Sequence, residues 1–243
     1  MKGKWKAGLL LPGSLLILSL IFAGCADNPG DNPGGGGNDV EEYADGTYTV
    51  ASEANEKGYV EAEVVIGDGE IEEVTLDEYR DTGELKGSDY GLDEWHDAME
   101  KLPQRFEEAN SPNVDVVSGA TSTSEKAIDA VDKALQRAAG EEEPFDGTFM
   151  GVSDEDDRGY RGIALVTLEN GEIEDVALEE AGEEGEFKDE DYDHEEWAEA
   201  AAELPERFRE ANTPEVDEYT GATSSSEKWM EAVERALDNA SDY

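Results

Sequence analysis

Apolar and polar positions along this chain fall into two successive series with the same internal order. Residues 47–50, 59–66 and 71–76 carry apolar side chains at strand spacing, and residues 148–151, 160–168 and 173–178 repeat the arrangement. Asp68-Gly69 and Asn170-Gly171 stand between the second and third runs, as two-residue hairpin turns require. Each series therefore predicts a three-stranded antiparallel meander. Helical spacing follows: Leu92, Trp95, Met99 and Leu102 share one face, as do Trp197, Ala201 and Leu204. Pro103 and Pro205 are expected to end or restart these helices, with Phe106 and Phe208 packing beyond the break. A last helix in each series places Ile128, Val131 and Leu135, or Met230, Val233 and Leu237, on one stripe. Ser122 with Glu125 and Ser224 with Glu227 have capping-box spacing at its start.

The two series match residue by residue. Asp45-Gly46-Thr47-Tyr48 returns as Asp146-Gly147-Thr148-Phe149, and Lys57-Gly58-Tyr59 as Arg158-Gly159-Tyr160, at an offset of 101. After one inserted residue the offset becomes 102, pairing Trp95 with Trp197, Leu102-Pro103 with Leu204-Pro205, Arg105-Phe106 with Arg207-Phe208, and Thr121 with Thr223. This is a tandem duplication. It predicts an α+β protein of two small domains, 42–139 and 144–240, joined by 140–143, each with a meander sheet packed by helices.

One stretch in each copy carries candidate chemistry. Asp115, Ser118, Gly119, Ala120 and Thr121 precede the last helix of the first copy, and Asp217, Thr220, Gly221, Ala222 and Thr223 that of the second. Glycine there permits a tight turn or a close approach to a ligand. Hydroxyls and backbone N–H groups at a helix start suit a phosphate. A helix start rich in Ser and Thr with no ligand is the plainer reading of the same residues. Asp115 and Asp217 suit either a turn-stabilising role or contact with a modifying enzyme.

Charge restricts the partners. The chain holds 64 Asp and Glu against 18 Lys and Arg, a net of −46 at pH 7. That excludes a general affinity for nucleic acid or anionic lipid. It suits a protein working in high salt or one kept soluble in an exposed setting. An anionic ligand would need strong local donors against this field, or an ester bond from a hydroxyl to its phosphate.

The amino terminus predicts export. Lys2, Lys4 and Lys6 precede an apolar run over 7–24, as in a signal peptide. Leu20-Ile21-Phe22-Ala23-Gly24-Cys25 resembles a bacterial lipobox, with cleavage after residue 24 and lipidation at Cys25. An uncleaved membrane helix is the alternative, although Pro12 and Gly13 interrupt the run. Removing 1–24 deletes three lysines and no acidic residue, taking the net charge from −46 to −49. Residues 25–41 would then be a lipidated cysteine and a Gly-, Pro- and Asn-rich tether. Cys25 is the sole cysteine, so no internal disulfide, CxxCH haem site or cysteine-ligated cluster can form. His96 and His194 are the two histidines, at unmatched positions, and no hydrolase constellation or metal-ligand cluster emerges.

Both stretches before the last helices resemble the Asp-x-x-(Ser/Thr)-Gly-Ala-Thr signature of the FMN-binding domain family. That family includes flavin-carrying subunits of sodium-pumping NADH:quinone reductase and of Rnf complexes. The resemblance implies FMN joined by a phosphoester to the last threonine of each signature, Thr121 and Thr223, donated from FAD by a separate magnesium-dependent flavin transferase. It carries Asp115, Ser118, Gly119 and Ala120, with Asp217, Thr220, Gly221 and Ala222, as the matching cofactor-site residues. An exported lipoprotein with two such domains is similar to extracellular electron-transfer flavoproteins. The implied role is an electron carrier on the outer face of the cell membrane, working between a membrane donor and an external or surface acceptor, with no catalytic residue of its own. An accessory flavoprotein of a membrane reductase complex, an oxidoreductase with its own substrate pocket, non-covalent FMN binding, and a non-redox surface lipoprotein with unmodified repeats remain alternatives. Trp95 and Trp197 suit core packing or flavin stacking.

Overall fold

The computed structural model describes residues 43–189 and 192–241. The expected signal peptide, tether and Cys25 lie outside the described residues. Described residues 43–241 belong to one compact unit. The first copy forms β1 (Gly46–Ala51), β2 (Tyr59–Gly67), β3 (Glu70–Tyr79), α1 (Asp93–Ala109) and α2 (Thr121–Ala138). The second forms β4 (Gly147–Val152), β5 (Arg161–Glu169), β6 (Glu172–Ala181), α3 (Glu195–Ala211) and α4 (Thr223–Ala240). Each copy is the expected α+β unit, an antiparallel meander in the order β1-β2-β3 or β4-β5-β6 with two helices packed on it.

The hairpins follow from their turn residues. Asp68 and Gly69 both have positive φ (53° and 76°), as do Asn170 and Gly171 (56° and 74°). That backbone matches the right-handed twist of the flanking strands. Inward positions of the sheets, among them Val60, Ala62, Val64 and Val74, meet α1 and α2; Ala164, Val166 and Val176 do the same for α3 and α4.

Three expectations are corrected. Pro103 and Pro205 end no helix: α1 and α3 run through them. Leu102 and Phe106, like Leu204 and Phe208, are fully buried on one continuous stripe. Their packing offsets an interior proline that costs about 3 kcal/mol. The helices end instead at Asn110 and Asn212, left-handed residues whose side-chain carbonyls accept from Ile71 N–H and Ile173 N–H, each at 2.8 Å. The inserted residue is Tyr160 itself. Tyr59 pairs with Tyr79 across its sheet, whereas the matching partner of Ala181 is Arg161. In the last helices Ile128, Met230 and Leu237 are only half-buried. The deepest stripe is Ala127, Ala130, Val131 and Ala134 in α2, and Trp229, Ala232, Val233 and Ala236 in α4.

The copies are joined as well as repeated. Ala54 N–H donates to the Thr148 carbonyl at 2.7 Å, and Arg137 Nη2 to the Ala240 carbonyl at 3.2 Å. Ala51, Ala54 and Tyr59 of the first copy share a buried cluster with Met150, Ile163 and Ala181 of the second. Gly151 lies so close to α4 that a Cβ would stand 2.0 Å from the Ala232 carbonyl oxygen.

Candidate functional site

Each signature loop is shaped by a serine one turn into the following helix. Ser124 Oγ accepts from Val117 N–H at 2.9 Å and donates to the Ala120 carbonyl at 2.9 Å. Ser226 Oγ does the same with Tyr219 N–H (3.0 Å) and the Ala222 carbonyl (2.9 Å). Gly119 and Gly221 turn the chain at φ 86° and 92°, where a side chain would be strained. Arg105 donates to the Asp115 carbonyl, and Arg207 to the Asp217 carbonyl at 2.5 Å. The aspartates thus meet these arginines through their backbone oxygens.

The expected capping boxes do not form. Helix starts at Thr121 and Thr223 place Ser122 and Ser224 inside the first turn, and the residues at the cap, Ala120 and Ala222, have no capping side chain. No side chain therefore caps either helix, and its first N–H groups point outward from the helix end. Thr121 and Thr223 are exposed there, as are Ser118, Gly119, Asp115, Thr220, Gly221 and Asp217; Ala120 and Ala222 are buried. The first turns of α1 and α3 each hold two acidic residues, but those of α2 and α4 hold none. In a chain this acidic, that difference keeps two helix starts fit for an anion.

Beneath each start lies a buried ionic cluster that the sequence reading missed. Glu78, 1% exposed, ends the inward series Val74, Leu76, Glu78 on β3. Its carboxylate accepts from Lys86 Nζ (2.7 Å), Trp95 Nε1 (2.6 Å) and Thr123 Oγ1 (2.9 Å). Glu180, fully buried on β6, accepts from Lys188, from Trp197 Nε1 (3.2 Å) and from Lys228 Nζ (3.2 Å). Burial alone would raise the Glu180 carboxyl, but hydrogen bonds from Lys188 and Ser225 and the two lysine charges outweigh it and hold it low. Trp95 and Trp197 are therefore buried parts of these clusters. The available signal was a glutamate on the inward face of a strand, repeated at offset 102 with Lys86/Lys188, Trp95/Trp197 and Lys126/Lys228.

The clusters differ at one lysine. Lys228 Nζ also donates to Asp156 Oδ2 at 2.7 Å. Asn55 stands where Asp156 does: its Oδ1 accepts from Lys57 N–H, as Asp156 Oδ1 accepts from Arg158 N–H. Lys126 Nζ, 5% exposed, consequently makes no hydrogen bond and stands 3.8 Å from Glu78 Oε1. Burial lowers its pKa to about 8, with Glu78 opposing the fall. Asp156 is held well below the usual carboxylate range because bonds from Lys228, Tyr160 N–H and Arg158 outweigh its desolvation.

The FMN-binding domain profile matches residues 56–136 and 159–238, one span in each copy. The chain belongs to the FMN-binding domain family. Both spans contain the signature loop, the buried glutamate and the lysine-bearing helix. No curated protein matches the chain. Among solved structures, the CPE2226 protein from Clostridium perfringens is 29% identical, over 40% of this chain and 88% of that one, with a TM-score of 0.36. The residues present fit FMN: an anion-compatible helix start bears an exposed hydroxyl, and in the first copy a buried amine below it lacks a hydrogen-bond acceptor. Among the described residues no group of His, Cys, Asp and Glu could hold a metal ion, and no helix is long and apolar enough to cross a membrane.

Proposed function

We infer that this tandem FMN-binding protein is an electron carrier bearing one FMN in each copy, esterified through its phosphate to Thr121 and Thr223. The observation that carries the reading is the recurrence, in both family spans, of a threonine hydroxyl exposed at the first residue of a helix whose opening turn has no acidic side chain. FMN supplies reversible electron uptake when bound. The chain supplies the rest. Ser124 and Ser226 fix the loops, Gly119 and Gly221 admit the turn, and the exposed hydroxyls are open to an FAD-dependent, magnesium-requiring flavin transferase. The first N–H groups of α2 and α4 would hold the FMN phosphate. Lys86 and Lys188, held by Glu78 and Glu180, would supply positive charge near it.

We further place the protein outside the cell, cleaved after residue 24 and lipid-anchored through Cys25 to the outer face of the membrane. The tether of 25–41 lets the two-flavin body work between a membrane donor and an external or surface acceptor. Support comes from the basic and apolar amino terminus and from the single cysteine at its end. Co-expression with a flavin transferase, followed by peptide mass analysis, tests attachment. The expected result is an FMN phosphoester on the peptides containing Thr121 and Thr223; unmodified peptides with released FMN would indicate non-covalent binding. Palmitate labelling that is lost in Cys25→Ala tests the anchor.

A further inference from the structure

We propose that the two copies are electrostatically unequal sites, set apart by Asn55 against Asp156, so that the copy containing Lys126 holds its flavin at the higher reduction potential. This rests on the two-flavin reading above. The geometry supplies a turn carboxylate hydrogen-bonded to the helix lysine in one copy and none in the other. Lys126 on α2 faces Glu78 on β3, Lys86 and Asp81 on the connection after β3, and Lys57 on the turn between β1 and β2. Lys228 on α4 faces Glu180 on β6, Lys188 after β6, and Asp156 on the turn between β4 and β5, which also binds Arg158. Lys57 and Arg158 correspond, as do Asp81 and Glu183. The Asp156 carboxylate, bonded to Lys228, is a neutral amide in the first copy; Arg80 against Gly182 and Gly87 against Asp189 also leave the first copy the more positive.

A ring that gains negative charge on reduction is favoured by nearby positive charge, and a carboxylate bonded to the lysine cancels that charge. Lys228 is closed into a pair with Asp156. Lys126 has no such partner, and its ammonium remains for whatever anion or reduced ring lies above it. At equilibrium an electron shared between the flavins rests on the first copy, one flavin being reduced as the other is oxidised by the same electron. The inequality also depends on pH. Lys126 sits low enough to lose its proton in mildly alkaline solution, and with that proton goes the extra charge.

Two measurements on the full chain separate this inference from the reading beneath it. In flavin-free protein, NMR titration of isotope-labelled lysine, assigned with K126R, should place Lys126 at about 8. Asn55→Asp should move Lys126 upward. A Lys126 midpoint in the ordinary lysine range, or an Asn55→Asp variant that leaves Lys126 unmoved, would overturn the inequality whether or not flavin binds. In flavinylated protein, Thr223→Val reports the first site and Thr121→Val the second. The first potential should be higher, with a gap that narrows in Asn55→Asp and as pH rises through the Lys126 midpoint of the same protein. Equal potentials at all pH values would overturn the redox consequence. Failure of both variants to carry flavin would overturn the carrier reading and with it the predicted potential gap, while the lysine titration would still decide the charge asymmetry.

Discussion

Lys126 and Lys228 occupy the same turn of matching helices and are equally buried, at 5% exposure each. One is hydrogen-bonded to two carboxylates; the other is hydrogen-bonded to none and stands 3.8 Å from Glu78. The glutamate, the tryptophan and the second lysine around them are the same in both copies. The difference shows which parts of a duplicated site are held fixed by folding and which are free to change. Glu78 and Glu180 cannot change without stranding buried cations. Asn55 and Asp156 sit on a surface turn, where either residue forms the same backbone contact through its side-chain oxygen. Function can diverge there without a change in the turn's backbone.

Removing the shared element should have the largest effect. Glu78→Leu and Glu180→Leu each leave buried lysines without their carboxylate, and each should cost about 3–5 kcal/mol in denaturant unfolding. A loss below about 1 kcal/mol in either copy would show that its cluster contributes little.

Asp156→Asn tests the element that differs. It should cost about 1–3 kcal/mol at neutral pH by removing acceptors from Lys228 and Arg158. The sign against pH is fixed, because the folded-state pKa of Asp156 lies below its ordinary value of 3.8. Its contribution is present above that value and lost as pH falls below it. The variant should therefore unfold less steeply in acid than the parent, as read by circular dichroism between neutral and strongly acidic pH.

Gly119→Ala and Gly221→Ala sharpen the comparison from the other side. Both glycines have positive φ, so each change should cost about 1–2 kcal/mol, and by the same amount in both copies. Unequal costs would mean that the two loops are not built alike.

The duplication and the meanders were legible because they rest on local rules: period-two apolar runs and Asp-Gly or Asn-Gly turns. The signature loops were legible as a position, although their capping was not. Ser122 and Ser224 have the spacing of a capping box, but the hydroxyl that folds each loop is two residues later, on Ser124 and Ser226. The proline helices were misjudged because propensity is local, whereas the burial of Phe106 and Phe208 is tertiary. Glu78 and Glu180 went unseen because one glutamate among so many acidic residues has no compositional signal. Only the inward parity of its strand, together with its repetition, distinguishes it. The insertion at Tyr160 was hidden by the coincidence of Gly-Tyr in both copies, which sequence alignment pairs and the sheet register does not.

The smallest effect on stability belongs to the residues with the largest expected effect on function. Thr121 and Thr223 are exposed, so Thr121→Val and Thr223→Val should each change unfolding by no more than about 0.5 kcal/mol. The decisive measurement is the flavin that remains attached to the denatured chain, counted by absorbance and intact mass after co-expression with a flavin transferase. Two FMN per parent chain, one in each single variant and none in the double variant would show that each copy is a separate flavin site centred on its threonine. Attached flavin in the double variant, or none in the parent, would contradict that account.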